Sequence, residues 1–547
     1  MTNSKIQMPD KIRLGMVVSG SLSCGLEVKM DEGVSVEDMA VGKYVIVKGS
    51  KKRFFGMITD VTLGSINSNA QANLPDISDP FIAEVVRGTS AFGILHVLPK
   101  VVLGIDEESL LLGPRPVKSI PSHFSTVEEA AERDIELVFG GEDSTRFHIG
   151  NPLDMEMKIC LNLEEYVKRS NGIFGKSGTG KTFLCRLLLI GILQKSQAVN
   201  LVFDMHNEYG WDGTGEANRR VKSLKQLFPS RVAVFTLDEE SSRRRQVTPD
   251  FVVRIGYDEI EPEDIELLRD TLRMSELMLQ AVHRLARHFG DKSWLVRFLN
   301  LKGGDEVSEL AEEMHENESS LKALWRRLQV LKRFPFLVPG SPENSVARIL
   351  HYLQQGKHVV LQFGRYTDIT AYILVANLLT RRIYDIYREQ VEEAMAEGKQ
   401  GPPHLVICIE EAHKFLNPEV SEQTIFGIIA REMRKYHVTL LVVDQRPSGI
   451  DDDVMSQLGT KMTCLLDNEK DIDSVLAGTP DRNELKSVLA KLESKQQVLI
   501  FGHAVPMPLV VQVREYGSVK SYEDLQKARE VAAARNPEKL EDFWGKD

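Results

Sequence analysis

Gly175-Lys176-Ser177-Gly178-Thr179-Gly180-Lys181-Thr182 is the stretch whose reading decides the fold. It fits the phosphate-loop pattern G-x-x-x-x-G-K-[ST] at every fixed position. Its glycines let the backbone curl so that N–H groups converge on an anion. The helix that follows aims its positive end at the same point. Lys181 can reach the β- and γ-phosphates of a nucleotide, and the Thr182 hydroxyl can ligate Mg²⁺. Gly175, Ser177, Gly178, Thr179, Gly180 and Phe183 complete the expected nucleotide contacts. An apolar lead-in, Gly172-Ile173-Phe174, and the run Phe183 to Leu193 give the strand–loop–helix context that the pattern needs.

Outward from this loop the pattern is α/β. Continuous apolar runs at Val199–Phe203, Val232–Thr236, His358–Phe363, Leu405–Ile409, Thr439–Val443, Met462–Leu466 and Val498–Phe501 predict strands covered on both faces. Ile265-x-x-Leu268-x-x-x-Leu272 and Leu321-x-x-Leu324-x-x-x-Leu328 have helix spacing and predict a helical insertion at about 260–350. Before this region, short apolar runs such as Tyr44–Val47 and Phe54–Ile58 alternate with Gly-rich turns and predict a small β-barrel. Asn67 to Pro80 reads as a long loop. The expected domains are a barrel over 1–115, a linker over 116–145, an ATPase domain over 146–516 and a charged helical tail over 517–547. The fold class is thus a RecA-like P-loop ATPase domain preceded by a β-barrel.

The 547 residues suit two or three domains. A net charge of −11 argues against a broadly basic nucleic-acid surface but leaves room for a local basic lining. Arg219-Arg220-x-Lys222 and Arg243-Arg244-Arg245 are basic clusters that read as solvated faces. The five scattered cysteines read as reduced core thiols. No run is long and apolar enough to cross a membrane, and Met1 to Leu14 has no apolar signal core, so a cytoplasmic location is expected.

Hydrolysis needs a metal anchor, a base, a γ-phosphate contact and a positive charge for the transition state. Leu405–Ile409 runs into Glu410-Glu411, an apolar strand followed by two acids. Glu410 would anchor Mg²⁺, partly through water, and Glu411 would polarise the attacking water. His413 can relay to the γ-phosphate or cap the strand end. Thr439–Val443 ends in Asp444-Gln445-Arg446-Pro447-Ser448, and Gln445 is the expected partner of γ-phosphate and water. Such a strand, lying between the phosphate-loop strand and the acidic strand, marks the RecA-like division. Arg431 and Arg434 are candidates for an arginine finger reaching a neighbouring subunit. Asp204, His206 and Glu208 follow the strand Val199–Phe203 and would support Mg²⁺ and water.

Taken in order, these motifs resemble the HerA hexameric DNA translocases of the HerA/FtsK group. The resemblance runs from Gly42–Val47 and Gly56–Val61 in the barrel, through Asp204-x-His206-x-Glu208-Tyr209, to Glu411-Ala412-His413, Ala430-Arg431-Glu432-x-Arg434-Lys435-Tyr436 and Gln445-Arg446-Pro447-Ser448. It implies a homohexamer with ATP and Mg²⁺ between subunits and double-stranded DNA through the ring. It also implies a nuclease (NurA-like) or other effector on the barrel, in end processing or defence. An alternative is a ring scaffold in which ATP assembles an effector with little DNA movement. A small-molecule kinase is disfavoured by Glu410-Glu411. Three residues depart from the family pattern: Glu410 where Asp is frequent, and Met205 and Asn207 where Pro and Gly are often seen.

Overall fold

The computed structural model describes residues 12–65, 91–104, 113–153, 156–214, 220–340, 344–419, 421, 424–432, 435–479, 482–493 and 496–534. The chain divides into two compact units, one built from 1–166, 174–181 and 459–515, the other from 167–173, 182–458 and 516–547. The expected loop at Asn67 to Pro80 lies outside the described residues.

The first unit holds the barrel. Six antiparallel strands close on themselves in the order Gly25–Met30, Arg13–Ser21, Thr126–Glu129, Tyr44–Lys48, Lys52–Ser65 and Ala91–Gly104, and the last pairs back to the first. Register shifts at Val17/Ser19, Phe55/Gly56 and Ile58/Asp60 bend the strands enough to close the ring. Inward residues, among them Leu14, Val28, Val45, Val47, Ile58, Leu95 and Val127, form its core.

Closure corrects the expected domain boundary. The segment read as a linker supplies the strand Thr126–Glu129 and the helix Glu132–Phe139. Val127 is fully buried, and Phe139 packs on Tyr44 and Phe55 with ring centroids 6.0 Å from each. A four-residue strand shows only one or two inward apolar side chains, so alternation could not announce it.

The same unit carries the strands Thr460–Thr463, Gln497–Gly502, Leu509–Val513, Arg146–Asn151 and Ile159–Asn162, each antiparallel to the next. The strand expected at Met462–Leu466 therefore sits two residues earlier. Cys464 and Leu465 instead bond the phosphate-loop segment, Cys464 N–H to Phe174 O and Lys176 N–H to Leu465 O.

The second unit is built on seven strands in the order Phe251–Val252, Val232–Thr236, His358–Gln362, Val199–Asp204, Leu405–Glu410, Val438–Asp444 and Asn171–Phe174. From Phe251–Val252 to Val438–Asp444 every pairing is parallel. Val438–Asp444 thus lies between the phosphate-loop strand and the acidic strand, as the RecA-like reading requires. The helix Lys181–Lys195 is buried from Leu184 to Leu193. Between 260 and 350 the structure is helical: Pro262–Glu266, Glu276–Phe289, Trp294–Leu299, Gly304–Glu313, Glu318–Leu328 and Ser345–Gln354. The helix expected across Ile265 to Leu272 stops at Glu266 and continues as turns, one closed by Arg273 at a positive φ of 52°.

The tail begins as the helix Val519–Ala534 and is not simply solvated. Tyr522 accepts from Lys222 N–H at 2.9 Å, and Leu525 is fully buried.

The boundary correction is testable. Phe139→Ala should cost roughly 3–5 kcal/mol, as expected for a buried aromatic in a core, and lower the thermal midpoint of the barrel-containing unit. A linker residue would leave the melt unchanged.

Candidate nucleotide-hydrolysis site

The phosphate loop belongs to the first unit. Gly178 and Gly180 have φ of 81° and 97°, and a Cβ built on either would meet no atom within 4 Å. Steric clash does not demand glycine at these two positions; the left-handed backbone does, and it leaves the loop open to a ligand. Thr179 Oγ1 and Lys181 Nζ both donate to Lys176 O, each at 2.8 Å. Lys176 itself pairs with Asp467 at 2.8 Å. Lys181 is thereby folded over the loop it would serve, with its ammonium on a main-chain carbonyl.

The acids belong to the second unit and stand at the tips of three adjacent strands. Asp204 ends Val199–Asp204 and is fully buried. Its oxygens accept from Glu208 N–H (2.7 Å), Tyr209 N–H (2.9 Å), Gly210 N–H (3.2 Å) and Gln362 Nε2 (3.2 Å). Asp204 is therefore the anchor of the loop after it rather than a free ligand. Asn207 has φ of 58°, so the residue that departs from the frequent Gly is one that tolerates the left-handed region. Its side chain also bonds Gly364 through both N–H and O. His206 is exposed and Glu208 partly so.

Arg186, unassigned in the sequence, lies fully buried behind this loop. Its Nε donates to Glu208 O at 3.0 Å, and its guanidinium lies over the rings of Phe183 and Tyr209. A lone charge inside an apolar helical run was the signal that could have found it.

Glu410 ends the strand Leu405–Glu410 and is buried. Tyr209 donates to Glu410 Oε1 at 2.9 Å, and Tyr372 OH meets the Glu410 main chain, donating to its O at 3.0 Å. Glu410 Oε2 is buried with no hydrogen-bond partner among the described residues. Burial, followed by the negative charge of Asp204, raises the Glu410 carboxyl to about 8. An orphaned buried carboxylate oxygen suits a hard cation such as Mg²⁺, which would offset both effects.

Glu411 sits in the left-handed region at φ 50° and ψ 45°. That conformation is rare for a residue with a side chain and recurs at functional turns. Gln445 Nε2 donates to Glu411 Oε1 at 2.8 Å. The two residues read as base and γ-phosphate contact are thus brought together. His413, one residue beyond Ala412, has its Nδ1 3.0 Å from Asp444 Oδ2, and Asp444 is the second side chain that the sequence left without a role.

Arg431 is exposed on the helix Ile425–Glu432, with Nη2 donating to Ser421 O at 3.0 Å. Arg434 lies outside the described residues, as does Arg219. Arg243 and Arg244 pair with Glu239 and Glu240, and Arg245 with Asp212, so this basic run is locally neutralised.

A phosphate loop, a buried acidic strand followed by a clamped glutamate, and a polar strand tip beside it define a P-loop ATPase of the RecA-like kind. The central-domain family of helicase HerA matches residues 147–383. The DNA double-strand break repair helicase HerA of Saccharolobus solfataricus is 23% identical over 486 residues, covering 86% of this chain and 87% of that protein. Its namesake in Pyrococcus furiosus is 24% identical over 427 residues, covering 72% and 73%. Among solved structures, the conjugative coupling protein TrwB is similar at 11% identity and a TM-score of 0.47, covering 72% of this chain and 94% of that one. VirB4 of Thermoanaerobacter pseudethanolicus is similar at 12% identity and a TM-score of 0.43, covering 70% and 99%. The chain is thus similar to HerA helicases over most of its length, and its residues 147–383 match their central domain.

The raised Glu410 carboxyl gives a signed prediction. A folded-state value near 8 against an unfolded 4.5 means the native state holds the extra proton. Stability is then fully present below about 4.5 and falls as pH rises through 8. Glu410→Gln keeps a neutral acceptor for Tyr209. In metal-free protein it should raise the melting temperature more at pH 8.5 than at pH 6. An equal change at both would contradict the assignment.

Proposed function

We propose that this protein is an ATP-driven translocase of double-stranded DNA that acts as a homohexameric ring. The observation that carries the reading is Glu411, held in a left-handed turn at the tip of the acidic strand with Gln445 donating to it. A general base must be placed and partly screened from water, and Glu411, half-buried in its turn, meets these needs. Lys181, with the backbone of Gly175 to Thr182 and the neighbouring Phe183, would hold the triphosphate. Gln445 would orient the water and the γ-phosphate. Thr182 and Glu410 would hold Mg²⁺, which when bound would neutralise the β- and γ-oxygens. Asp204, Glu208 and His206 would support that end of the site, Asp204 by fixing the loop.

Arg431 is the described candidate for the finger that completes a neighbour's site. Its exposure, with a main-chain carbonyl as the partner of its guanidinium, supports that role. Double-stranded DNA as the track is supported by the relatives, whose names describe DNA double-strand break repair helicases. Grip through backbone phosphates would make binding sequence-independent and weaker with salt. The barrel would receive a nuclease or another effector, in repair or defence. The exposed apolar side chains of Ile12, Met16 and Phe124 on neighbouring barrel segments support such a surface.

ATP turnover with and without linear duplex DNA tests the reading. Duplex should stimulate hydrolysis several-fold, and Lys181→Ala should abolish it by removing the cation from the β/γ-phosphates. Indifference to DNA would favour the ring scaffold instead. Arg431→Ala subunits mixed with Lys181→Ala subunits should regain activity if Arg431 acts across the seam. Mixtures as dead as their components would remove Arg431 from that role.

A further inference from the structure

Asp444 ends the strand Val438–Asp444 and is 1% exposed. Both its oxygens serve the main chain: Oδ2 accepts from His413 N–H and Oδ1 from Arg446 N–H, each at 2.7 Å. The same two oxygens lie 3.0 and 3.1 Å from His413 Nδ1. An ionised carboxylate can only accept, so Nδ1 is the ring nitrogen that carries the proton. That Nδ1 is also 3.6 Å from Glu411 Oε2, beyond a good hydrogen bond. Two carboxylates therefore flank one imidazole N–H, and Asp444 holds it.

We infer that Asp444 is a positioning residue that keeps the His413 proton off Glu411. This rests on the reading of Glu411 as the base that activates water. A hydrogen bond from the imidazole to Glu411 Oε2 would occupy a carboxylate lone pair that the attacking water needs. With Asp444 in place, Gln445 gives Glu411 Oε1 a neutral amide contact at 2.8 Å, and Oε2 faces His413 without bonding it. Asp444 also fixes the orientation of the ring.

Two other readings of the cluster are weaker. Ligand atoms of Glu411, His413 and Asp444 lie within 4.8 Å of one another, a spacing that could hold a cation. Through Nδ1 a cation would compete with the hydrogen bond to Asp444, whose Oδ2 lies 3.0 Å away. Asp444 could also be a backbone cap and nothing more, since it accepts from two main-chain N–H groups. The cap reading makes a different prediction from ours, because a cap does not depend on the side chain at position 413.

A double-mutant cycle on the full chain separates them. ATP hydrolysis is measured for wild type, Asp444→Asn, His413→Ala and the double variant, with a thermal melt of each. Asp444→Asn weakens the hold on Nδ1 and frees its proton for Glu411. It should lower kcat about tenfold or more, with KM for ATP within about twofold. In the His413→Ala background the same change should cost less than about twofold, because no imidazole proton is left to misplace. Equal loss in both backgrounds, or a rise in KM with kcat unchanged, would overturn the inference. Asp444→Ser, whose hydroxyl can still accept from the main chain, carries the same outcomes where Asp444→Asn does not fold. A wild-type chain that hydrolyses no ATP would overturn the proposed function and this inference together. An active wild type with equal losses overturns only the inference.

Discussion

The structure depends on holding several carboxylates at the tips of neighbouring parallel strands. Asp204, Glu410 and Asp444 are all buried, and Glu411 follows directly. Like charges in a low-dielectric setting repel, and each loses hydration. The fold offsets this with main-chain N–H groups: three on Asp204 and two on Asp444. Tight turns after each strand supply these donors, so the same geometry that ends the strands also neutralises their last residues. Glu410 is the exception. One oxygen takes the Tyr209 hydroxyl and the other has no hydrogen-bond partner among the described residues, while burial and the charge of Asp204 raise the carboxyl to about 8. A cation bound at Glu410 would supply what Asp204 and Asp444 draw from the main chain.

Position along the strand tips divides labour among these groups. The satisfied acids are structural anchors: Asp204 for the loop to Tyr209, Asp444 for His413 and Arg446. Glu411 is only partly buried, with one neutral donor, which suits proton transfer. Arg186 extends the same logic behind the site. It joins the helix after the phosphate loop to the Glu208 main chain, so movement of either would be felt by the other.

Much of this was legible in the chain. The phosphate loop, the acidic strand and Gln445 each announce themselves by a short pattern with a chemical reason. Buried parallel strands such as Val199–Asp204 and Leu405–Glu410 read plainly because both their faces are apolar. The barrel's last strand did not, since Thr126-Val127-Glu128-Glu129 shows one fully buried apolar residue, and Glu128 and Glu129 are held by Lys48 and Lys43. Ring closure depends on partners far away in sequence, which no local window reports. Asp444 and Arg186 went unassigned for a related reason: their roles are set by what they touch, 31 residues away for His413 and 22 for Glu208. The departure at Asn207 proved conservative, because the backbone asks for a left-handed residue and Asn supplies one.

The proposed function turns on Glu411 acting as the base. Its most direct test is single-turnover hydrolysis by Glu411→Gln, with ATP affinity measured on the same sample. ATP binding should stay near normal and cleavage should slow by about 10²-fold or more. Cleavage within a few-fold of wild type would contradict it.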